Sequence, residues 1–286
     1  MAAVTFSTGT FTNPRTQSLY FQKHVPTCGA VRGLVVFLHG LGEYSARYNE
    51  LLEHVASHQW AVYSFDYIGH GRSDGETLYF DRFEDLIVDT EAFIAFAKDD
   101  VKSQVSSDKC VLIGNSIGGL LTNFVIVRKN QRVDAAILVA PGLDVPRTWA
   151  LSIQSAFAAI LSALVPKWRI VPSRDRNDLT PDASILAAMD DDPYLNKLLM
   201  PCRVGQEILD AFTAFGPRKA DVEIPMLVLF GSDEKMVCTA SIRRYVDEIA
   251  SKKKELREFS GMGHLMLLES NRSEIFEVVT AWLKSC

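Results

Sequence analysis

Residues 110–119 read CVLIGNSIGG, and this stretch decides how the rest of the chain is interpreted. An apolar run ends at Gly114, and a helical pattern begins at Ile117. Between them, Ser116 is the centre of a G-x-S-x-G pattern that Gly118 completes. Small flanking residues permit a sharp, strained strand-to-helix turn, which holds the serine hydroxyl above the sheet at a helix N-terminus. The five residues alone are weak evidence, but the strand before them and the helix after them are the context that a nucleophilic serine requires.

The segments on either side alternate between strand and helix patterns. Continuous apolar runs such as Leu34–Leu38 and Ala135–Ala140 are typical of strands buried on both faces of a parallel sheet. Residues 143–222 are different, because their patterns are helical without a convincing core strand. The sequence therefore predicts an α/β fold with a mostly parallel central sheet flanked by helices. Residues 1–142 and 223–286 form the predicted core, and residues 143–222 form an inserted helical cap. The other predicted helices are Ala46–His58, Phe83–Val101, Ile117–Lys129, Thr239–Ser251 and Ser273–Lys284.

Composition excludes several classes of protein. The 286 residues are 48% hydrophobic and 23% charged, which is ordinary for a globular chain and excludes disorder, collagen and a coiled coil. Thirty basic and 35 acidic residues give a net charge of −5, so no nucleic-acid partner is expected. The five cysteines include no C-x-x-C pair, which argues against a zinc site or a disulfide framework. The first residues, MAAVTFSTGT, do not resemble a secretory signal. We therefore expect a cytoplasmic protein without a metal or cofactor.

A serine hydroxyl is a poor nucleophile until a base removes its proton, and His264 is the candidate base for Ser116. The expected chain order is serine, then acid, then histidine, and among the six histidines only His264 lies far enough towards the C-terminus. The orienting acid is expected after the strand Pro225–Gly231, where Asp233 and Glu234 are adjacent. We favour Glu234 on its spacing from the end of that strand. Asp233 is the alternative, because aspartate is the commoner residue in this role.

Two backbone amides are expected to stabilise the negative oxygen of a tetrahedral intermediate. One is the N–H of Ile117, the residue after the candidate nucleophile. The other is the N–H of Leu41, in the loop of residues 39–43, which reads HGLGE and follows a predicted strand. Glycines in that loop allow the backbone to approach a substrate closely. A second glycine-rich loop, residues 66–75, lacks the G-x-G-x-x-G spacing, so dinucleotide binding is not supported.

Together these motifs resemble those of the α/β-hydrolases and, more narrowly, of the monoacylglycerol lipases. The resemblance extends from about Thr16 to Leu283 and implies a cytosolic or membrane-peripheral serine hydrolase that cleaves monoacylglycerols to fatty acid and glycerol without a cofactor. The stretches that carry it are HGLGEYSARY (39–48), DYIGHGRSDG (66–75), GNSIGG (114–119), GSDEKMV (231–237) and GMGH (261–264).

The resemblance also implies roles for residues near the substrate. It places Glu43 and Arg47 near the glycerol end of the pocket, and the alternative is an ion pair at a helix start without substrate contact. Two positions depart from the family pattern. Asn115 replaces the usual histidine before the nucleophile, and an acid at Glu234 would replace the usual aspartate.

The most apolar stretch, residues 149–165, reads WALSIQSAFAAILSALV and is too short to span a membrane comfortably. Its large apolar side chains recur at helical spacing, and serines occupy a narrow opposite strip. We predict a lid helix that docks on lipid at the membrane periphery and lines an acyl tunnel. The flanking basic residues expected to meet anionic headgroups are Arg147, Lys167, Arg169 and Arg174. The alternative is a helix that only packs on the core.

The motifs leave other functions open, because the substrate is chosen by the cap rather than by the serine and its partners. The alternatives are a lysophospholipase, a general carboxylesterase or a thioesterase. A more remote alternative is a ligand-binding protein without enzymatic activity on the same fold.

Overall fold

The computed structural model describes residues 2–144, 159–171, 176–196 and 199–286. The strands in these ranges are β1 (Val4–Thr12), β2 (Ser18–Pro26), β3 (Leu34–Leu38), β4 (Ala61–Phe65), β5 (Cys110–Asn115), β6 (Ala135–Val139), β7 (Arg169–Val171), β8 (Met200–Pro201), β9 (Met226–Gly231) and β10 (Lys254–Phe259). The helices are α1 (Asn49–Ser57), α2 (Phe83–Val101), α3 (Ile117–Arg128), α4 (described over residues 159–164), α5 (Ala183–Asp191), α6 (Cys202–Phe215), α7 (Thr239–Glu248) and α8 (Ser273–Lys284).

Eight of these strands form one sheet in the order β1-β2-β4-β3-β5-β6-β9-β10. The six strands from β4 to β10 pair in parallel. Strands β1 and β2 add an antiparallel edge. Parallel neighbours need crossover connections, and the helices supply them. The predicted α/β fold with a mostly parallel sheet flanked by helices is confirmed.

Helices cover both faces of the sheet. Helices α1 and α8 pack on one face, and α2, α3 and α7 pack on the other. Strand β3 shows how the sequence divides between the two layers, since successive side chains of a strand point to opposite faces. Val35 and Phe37 pack with α1 and α8, whereas Val36 and Leu38 pack in the layer of α2 and α3. A strand buried on both faces must be apolar throughout, as the sequence LVVFL is.

The boundaries of two predicted helices differ from the structure by more than one residue. The segment predicted as a helix from Ala46 begins as a 3₁₀ turn, Ser45–Tyr48, and only then continues as α1. The helix predicted over Thr239–Ser251 ends earlier, at Glu248. The candidate site residues follow strands β3, β5, β9 and β10. Because these strands are parallel, the loops after them all leave the carboxyl edge of the sheet. Open α/β sheets bind their ligands at this edge.

Residues 143–222 contain α4, α5 and α6 and a small antiparallel pair of strands, β7 and β8. Helix α6 anchors this insertion, because its residues Val204, Ile208 and Phe215 belong to the same buried cluster as α2 and α3. Strands β7 and β8 are three and two residues long, too short to leave a periodic pattern in the sequence. The division of the chain at residues 143 and 222 stays a prediction.

Most of the predicted lid helix, residues 149–158, lies outside the described residues. In the described part, Ile160 and Leu164 are 55% and 75% exposed, whereas Ser162 is buried. Ile160 and Leu164 of α4 therefore face outwards, and Ser162 faces inwards. None of the helices in the described ranges is long and apolar enough to cross a bilayer.

Candidate active site

Ser116 stands in a strained turn between β5 and α3. Its backbone angles are φ 53° and ψ −117°, and a positive φ is rare for a residue other than glycine. Both glycines of the motif are required by close packing. A Cβ atom at Gly114 would lie 2.4 Å from the carbonyl oxygen of Gly118, and one at Gly118 would lie 2.2 Å from the carbonyl oxygen of Leu38. The start of α3 therefore packs directly on β3 and β5. The turn from β5 to α3 places Ser116 above the edge of the sheet.

The structure brings Ser116, His264 and Glu234 together in a continuous hydrogen-bonded relay. His264 Nε2 lies 2.9 Å from Ser116 Oγ, and His264 Nδ1 lies 2.7 Å from Glu234 Oε2. An ionised carboxylate can only accept hydrogen bonds, so Nδ1 carries the proton and Nε2 presents its lone pair to the serine hydroxyl. Both His264 and Glu234 are buried. The three groups have the geometry of a nucleophile, a base and a residue that orients the base.

Of the two adjacent acids, the structure places Glu234 and not Asp233 against the imidazole. The second oxygen of Glu234, Oε1, accepts the backbone N–H groups of Met236 and Val237 at 2.6 and 3.1 Å. These bonds fix the direction of the carboxylate. Asp233 is exposed, and its Oδ1 accepts a hydrogen bond from Ser232 Oγ.

The loop that presents His264 is held by a residue that the sequence did not single out. Glu269 is buried, and its Oε1 accepts the N–H of Gly263 at 2.9 Å and the hydroxyl of Thr180 at 2.7 Å. The N–H of Leu265 donates to the carbonyl of Leu179 in the insertion. The only signal in the sequence is that Glu269 is a single acid directly after the apolar run LMLL. A buried carboxylate in such a run needs partners, and a loop carrying a catalytic histidine can supply them.

The two candidate oxyanion donors lie on neighbouring segments, the start of α3 and the loop after β3. Ile117 is the first residue of α3, and an N–H in the first turn of a helix has no carbonyl partner within that helix. Leu41 lies in a turn closed by a 3.3 Å hydrogen bond from Glu43 N–H to the carbonyl of Gly40. Gly42 has φ 76°, as the third position of a type II turn requires. Their roles as oxyanion donors stay predictions.

Glu43 and Arg47 form a buried ion pair at the start of the helical segment. Arg47 NH1 lies 2.5 Å from Glu43 Oε1, and the Tyr48 hydroxyl donates to Glu43 Oε2 at 2.5 Å. Asn115 Nδ2 lies 3.3 Å from Glu43 Oε2 and 3.0 Å from the Tyr48 oxygen. The side chain before Ser116 is therefore tied to the loop that carries Leu41. Contact of Glu43 or Arg47 with substrate stays a prediction.

The insertion meets the same loop through residues 192–196. The N–H of Asn196 donates to the carbonyl of Gly42 at 2.9 Å, and the Tyr44 hydroxyl donates to Asp192 at 2.8 Å. The Arg72 guanidinium lies 4.3 Å from the centre of the Tyr194 ring, a cation–π contact.

A cavity of about 270 Å³ lies between the core and this segment. Its lining includes Gly42, His70, Ser73, Tyr194 and Asn196. The described residues contain no cluster of histidine, cysteine and acidic side chains that could hold a metal ion.

A model of the Hydrolase_4 family, described as serine aminopeptidase S33, matches residues 29–271. The chain belongs to this family of hydrolases. Among characterised proteins, a monoacylglycerol lipase from Mycolicibacterium smegmatis is 24% identical over 254 residues, covering 89% of each chain. A phospholipase from Bacillus subtilis, YtpA, is 26% identical over 254 residues, covering 87% of this chain and 94% of its own.

Comparison with solved structures finds the same fold in a lipase. The crystal structure of a monoacylglycerol lipase from Paleococcus ferrophilus matches with a TM-score of 0.80 at 24% identity, covering 93% of this chain and 98% of that chain. The predicted resemblance to monoacylglycerol lipase-like α/β-hydrolases is confirmed. This hydrolase is a serine hydrolase of the lipase and esterase type.

Proposed function

We propose that this hydrolase cleaves the ester bond of monoacylglycerols to fatty acid and glycerol, through an acyl-enzyme on Ser116. The observation that carries the proposal is the relay from Ser116 through His264 to Glu234, at 2.9 and 2.7 Å. The substrate class is supported by the name of the mycobacterial relative, a monoacylglycerol lipase.

Acylation begins when His264 Nε2 takes the hydroxyl proton of Ser116 as Oγ attacks the ester carbonyl carbon. The carbonyl oxygen becomes negative, and the N–H groups of Leu41 and Ile117 stabilise it. Glu234 holds the imidazole in the tautomer with Nδ1 protonated and stabilises the positive ring that forms. When the tetrahedral intermediate collapses, the C–O bond to glycerol breaks. The proton on Nε2 passes to the departing glycerol oxygen.

Deacylation repeats these steps with water as the nucleophile. His264 Nε2 takes a proton from water as its oxygen attacks the acyl carbon, and the same two amides stabilise the oxyanion. Collapse breaks the bond between the acyl carbon and Ser116 Oγ. The proton returns from Nε2 to Oγ, and the fatty acid leaves.

Contact of the insertion with a membrane surface is part of the proposal. Ile160, Leu164 and Trp168 are 55%, 75% and 61% exposed, and large apolar side chains grouped on a surface favour an interface with lipid. Of the basic residues predicted to meet headgroups, Arg147 and Arg174 lie outside the described residues. Lys167 forms an ion pair with Glu76 at 2.7 Å, and Arg169 donates to the carbonyl of Thr77.

Sedimentation with phosphatidylcholine vesicles tests this contact. We expect the double variant Ile160→Ser/Leu164→Ser to sediment several-fold less than wild type. Phe6→Ser is the matched control, because Phe6 is also exposed, at 50%, but lies on β1. Equal sedimentation of all three proteins would contradict a contact through α4.

A lysophospholipase is the second candidate, and the Bacillus relative, named a phospholipase, favours it. A carboxylesterase or thioesterase would use the same relay with a different acyl site. A ligand-binding protein without activity is the remote alternative. The relay argues against it, since a binding protein does not need a serine, a base and an acid in line.

The test is product release from 2-oleoylglycerol, from oleoyl-lysophosphatidylcholine and from p-nitrophenyl butyrate, each with wild type and Ser116→Ala. A fluorophosphonate probe that labels reactive serines is run beside these assays. We expect efficient release of glycerol and oleate by wild type, labelling of Ser116, and loss of both in the variant.

Each other outcome selects a different function. Faster turnover of the lysophospholipid would support the second candidate. Cleavage of the short ester alone would support a carboxylesterase. Neither turnover nor labelling would favour the ligand-binding protein, and full activity of Ser116→Ala would overturn the nucleophile.

A further inference from the structure

We propose that His39 is a positioning residue that aims the Leu41 N–H at the oxyanion, an inference that rests on the proposed function of this site. His39 is the last residue before the turn, and its side chain is fully buried. Its Nδ1 lies 2.7 Å from the carbonyl oxygen of Gly40, the next residue in the chain. Because a carbonyl oxygen can only accept, Nδ1–H is the donor.

Because the peptide bond is planar, the hydrogen bond from His39 to the Gly40 oxygen also fixes the direction of the Leu41 N–H. The carbonyl of Gly40 and the N–H of Leu41 belong to one peptide unit. In a trans peptide these two groups lie in one rigid plane and point in opposite directions within it. A donor that fixes the Gly40 oxygen on the side of His39 therefore fixes the Leu41 N–H on the other side. The same oxygen accepts the N–H of Glu43, but at the longer distance of 3.3 Å.

The imidazole of His39 cannot easily turn away from this position. Its Nε2 accepts the backbone N–H of Tyr67 at 3.2 Å, so both ring nitrogens are engaged. The Tyr67 hydroxyl also donates to the His39 carbonyl at 2.9 Å, and the two ring centres are 3.9 Å apart. Burial lowers the pKa of His39 to about 3, so the ring stays neutral with the proton on Nδ1 at any pH used to assay hydrolysis.

The other end of the turn is held as well, since Gly42 accepts the N–H of Asn196. The turn is thus fixed on both sides of Leu41, by the core through His39 and by the insertion through Asn196. Loss of the first contact would leave the Gly40 oxygen held only by the longer bond from Glu43, so that the peptide of residues 40–41 could rotate more widely. A rotated amide weakens binding of the transition state more than binding of the substrate, because the full negative charge develops only in the transition state.

Two substitutions separate the two ring nitrogens. In His39→Asn the amide Nδ2 is as many bonds from Cα as the imidazole Nδ1, so this variant keeps the donor to Gly40. In His39→Gln the amide group corresponds to the imidazole Nε2, so this variant keeps the acceptor for Tyr67 and loses the donor. Both are polar side chains of similar size. His39→Leu also loses the donor, and it leaves no unpaired polar group of its own.

The experiment measures kcat and KM with p-nitrophenyl butyrate, per active site titrated with a fluorophosphonate, together with inhibition by a trifluoromethyl ketone. That inhibitor forms a tetrahedral oxyanion on the serine. Loss of one oxyanion donor costs about 10²–10³-fold in kcat, and misdirecting it should cost part of this, about 10–100-fold. We expect that fall in kcat for His39→Gln and His39→Leu, with KM within about threefold of wild type and a parallel loss of inhibitor affinity. His39→Asn should keep kcat within about fivefold of wild type.

The control is His24→Asn, because His24 is also a buried histidine but lies on β2 and not on the turn. Because kcat is calculated per titrated active site, unfolded protein does not lower it. If His39 had only a structural role, its substitution would reduce the fraction of titratable sites and leave kcat unchanged. Equal kcat in His39→Asn, His39→Gln and His39→Leu, or a matching decrease in His24→Asn, would overturn the inference. Failure of the proposed function is distinguishable, because Ser116→Ala would then retain activity or wild type would have none.

Discussion

At the scale of single residues, Ser116 occupies a conformation that its side chain disfavours. A non-glycine residue at φ 53° and ψ −117° stores strain of about 1–3 kcal/mol, which the surrounding packing maintains. Glycine adopts a positive φ at lower cost but loses more backbone entropy on folding. We expect Ser116→Gly to raise the free energy of unfolding by about 1 kcal/mol while abolishing ester turnover. Urea denaturation followed by circular dichroism measures the change.

Ser116→Ala is the matched control for that measurement. Alanine lacks the hydroxyl but keeps the Cβ atom that causes the strain, so its unfolding free energy should stay near that of wild type. If alanine stabilised the protein as much as glycine, the gain would come from loss of the hydroxyl and the strain interpretation would fail.

The two adjacent acids have different expected effects on catalysis. Replacing Glu234 by Gln removes the charge and lets the amide donate to the ring, which favours the wrong tautomer of His264. Loss of this orienting charge costs up to about 10⁴-fold in kcat in a comparable triad, and we expect a decrease of about 10²–10⁴-fold. Asp233→Asn is the matched control, because Asp233 is exposed and bonded to Ser232. Steady-state kinetics with p-nitrophenyl butyrate would contradict the assignment if the two variants were equally impaired.

The sequence offered one candidate nucleophile and one candidate base but two candidate acids, of which it favoured Glu234 over Asp233, and the reason for the difference is geometric. Ser116 lies in a local motif whose strand, turn and helix follow one another in the chain. The direction of Glu234 depends on a contact distant in sequence, since the N–H of Asp233 donates to the carbonyl of Met262. That bond turns one acid towards His264 and the other towards solvent. Glu269 was missed for a similar reason, because its partners Gly263 and Thr180 come together only in the fold.

At the scale of elements, the segment from Glu43 into α1 depends on a buried ion pair. Removing one partner of such a pair leaves the other charge buried without compensation, which costs about 3–5 kcal/mol. We expect Arg47→Met to lower the free energy of unfolding by about 3 kcal/mol, because the Glu43 side chain is only 9% exposed. The double variant Glu43→Gln/Arg47→Met should lose less than Arg47→Met alone, since the buried charge is then gone.

Urea unfolding of these variants measures the effect. Arg82→Met is the control, because Arg82 pairs with Asp85 while its own side chain is 66% exposed. Exposed pairs contribute about 0–1 kcal/mol. A loss below about 1 kcal/mol for Arg47→Met would mean that Tyr48 and Asn115 already satisfy the carboxylate.

Elements with strong periodicity were predictable, and elements formed by tertiary contact were not. Helix α2 and strand β3 have the bounds that their patterns predict, because each is long or apolar enough to leave a clear signal. Strands β7 and β8 lie about thirty residues apart in the chain and form a sheet only by pairing with each other. Neither strand has an alternating apolar pattern of its own. In α4 the pattern predicted an apolar face, but periodicity does not say whether that face packs on the core or meets solvent.

At the scale of the whole molecule, one buried acid makes stability depend on pH. Asp89 on α2 accepts from Arg15 and Asn13, yet burial raises its pKa to about 6 from 3.8. The folded protein therefore holds the proton more tightly than the unfolded chain. This contribution to stability is fully present below about pH 4 and is lost as the pH rises through 6.

Asp89→Asn tests this linkage, since asparagine resembles the protonated acid. We expect the free energy of unfolding of the variant, relative to wild type, to rise by about 2 kcal/mol between pH 4.5 and pH 7.5, because one pKa unit is about 1.4 kcal/mol. Asp99→Asn on the exposed face of the same helix is the control. A difference between Asp89→Asn and wild type that does not change with pH would refute the linkage.

The two outer strands of the sheet meet solvent with different chemistry, and this bears on aggregation. Strand β10 reads KELREF, and its charges discourage edge-to-edge pairing with another sheet. Strand β1 reads VTFSTGTFT, nine residues without a charge, and Phe6 on it is half exposed. An uncharged outer strand is a template for a strand of another molecule. We therefore expect heated or concentrated protein to assemble through β1, and Thr10→Lys to slow the growth of light scattering without changing the melting temperature.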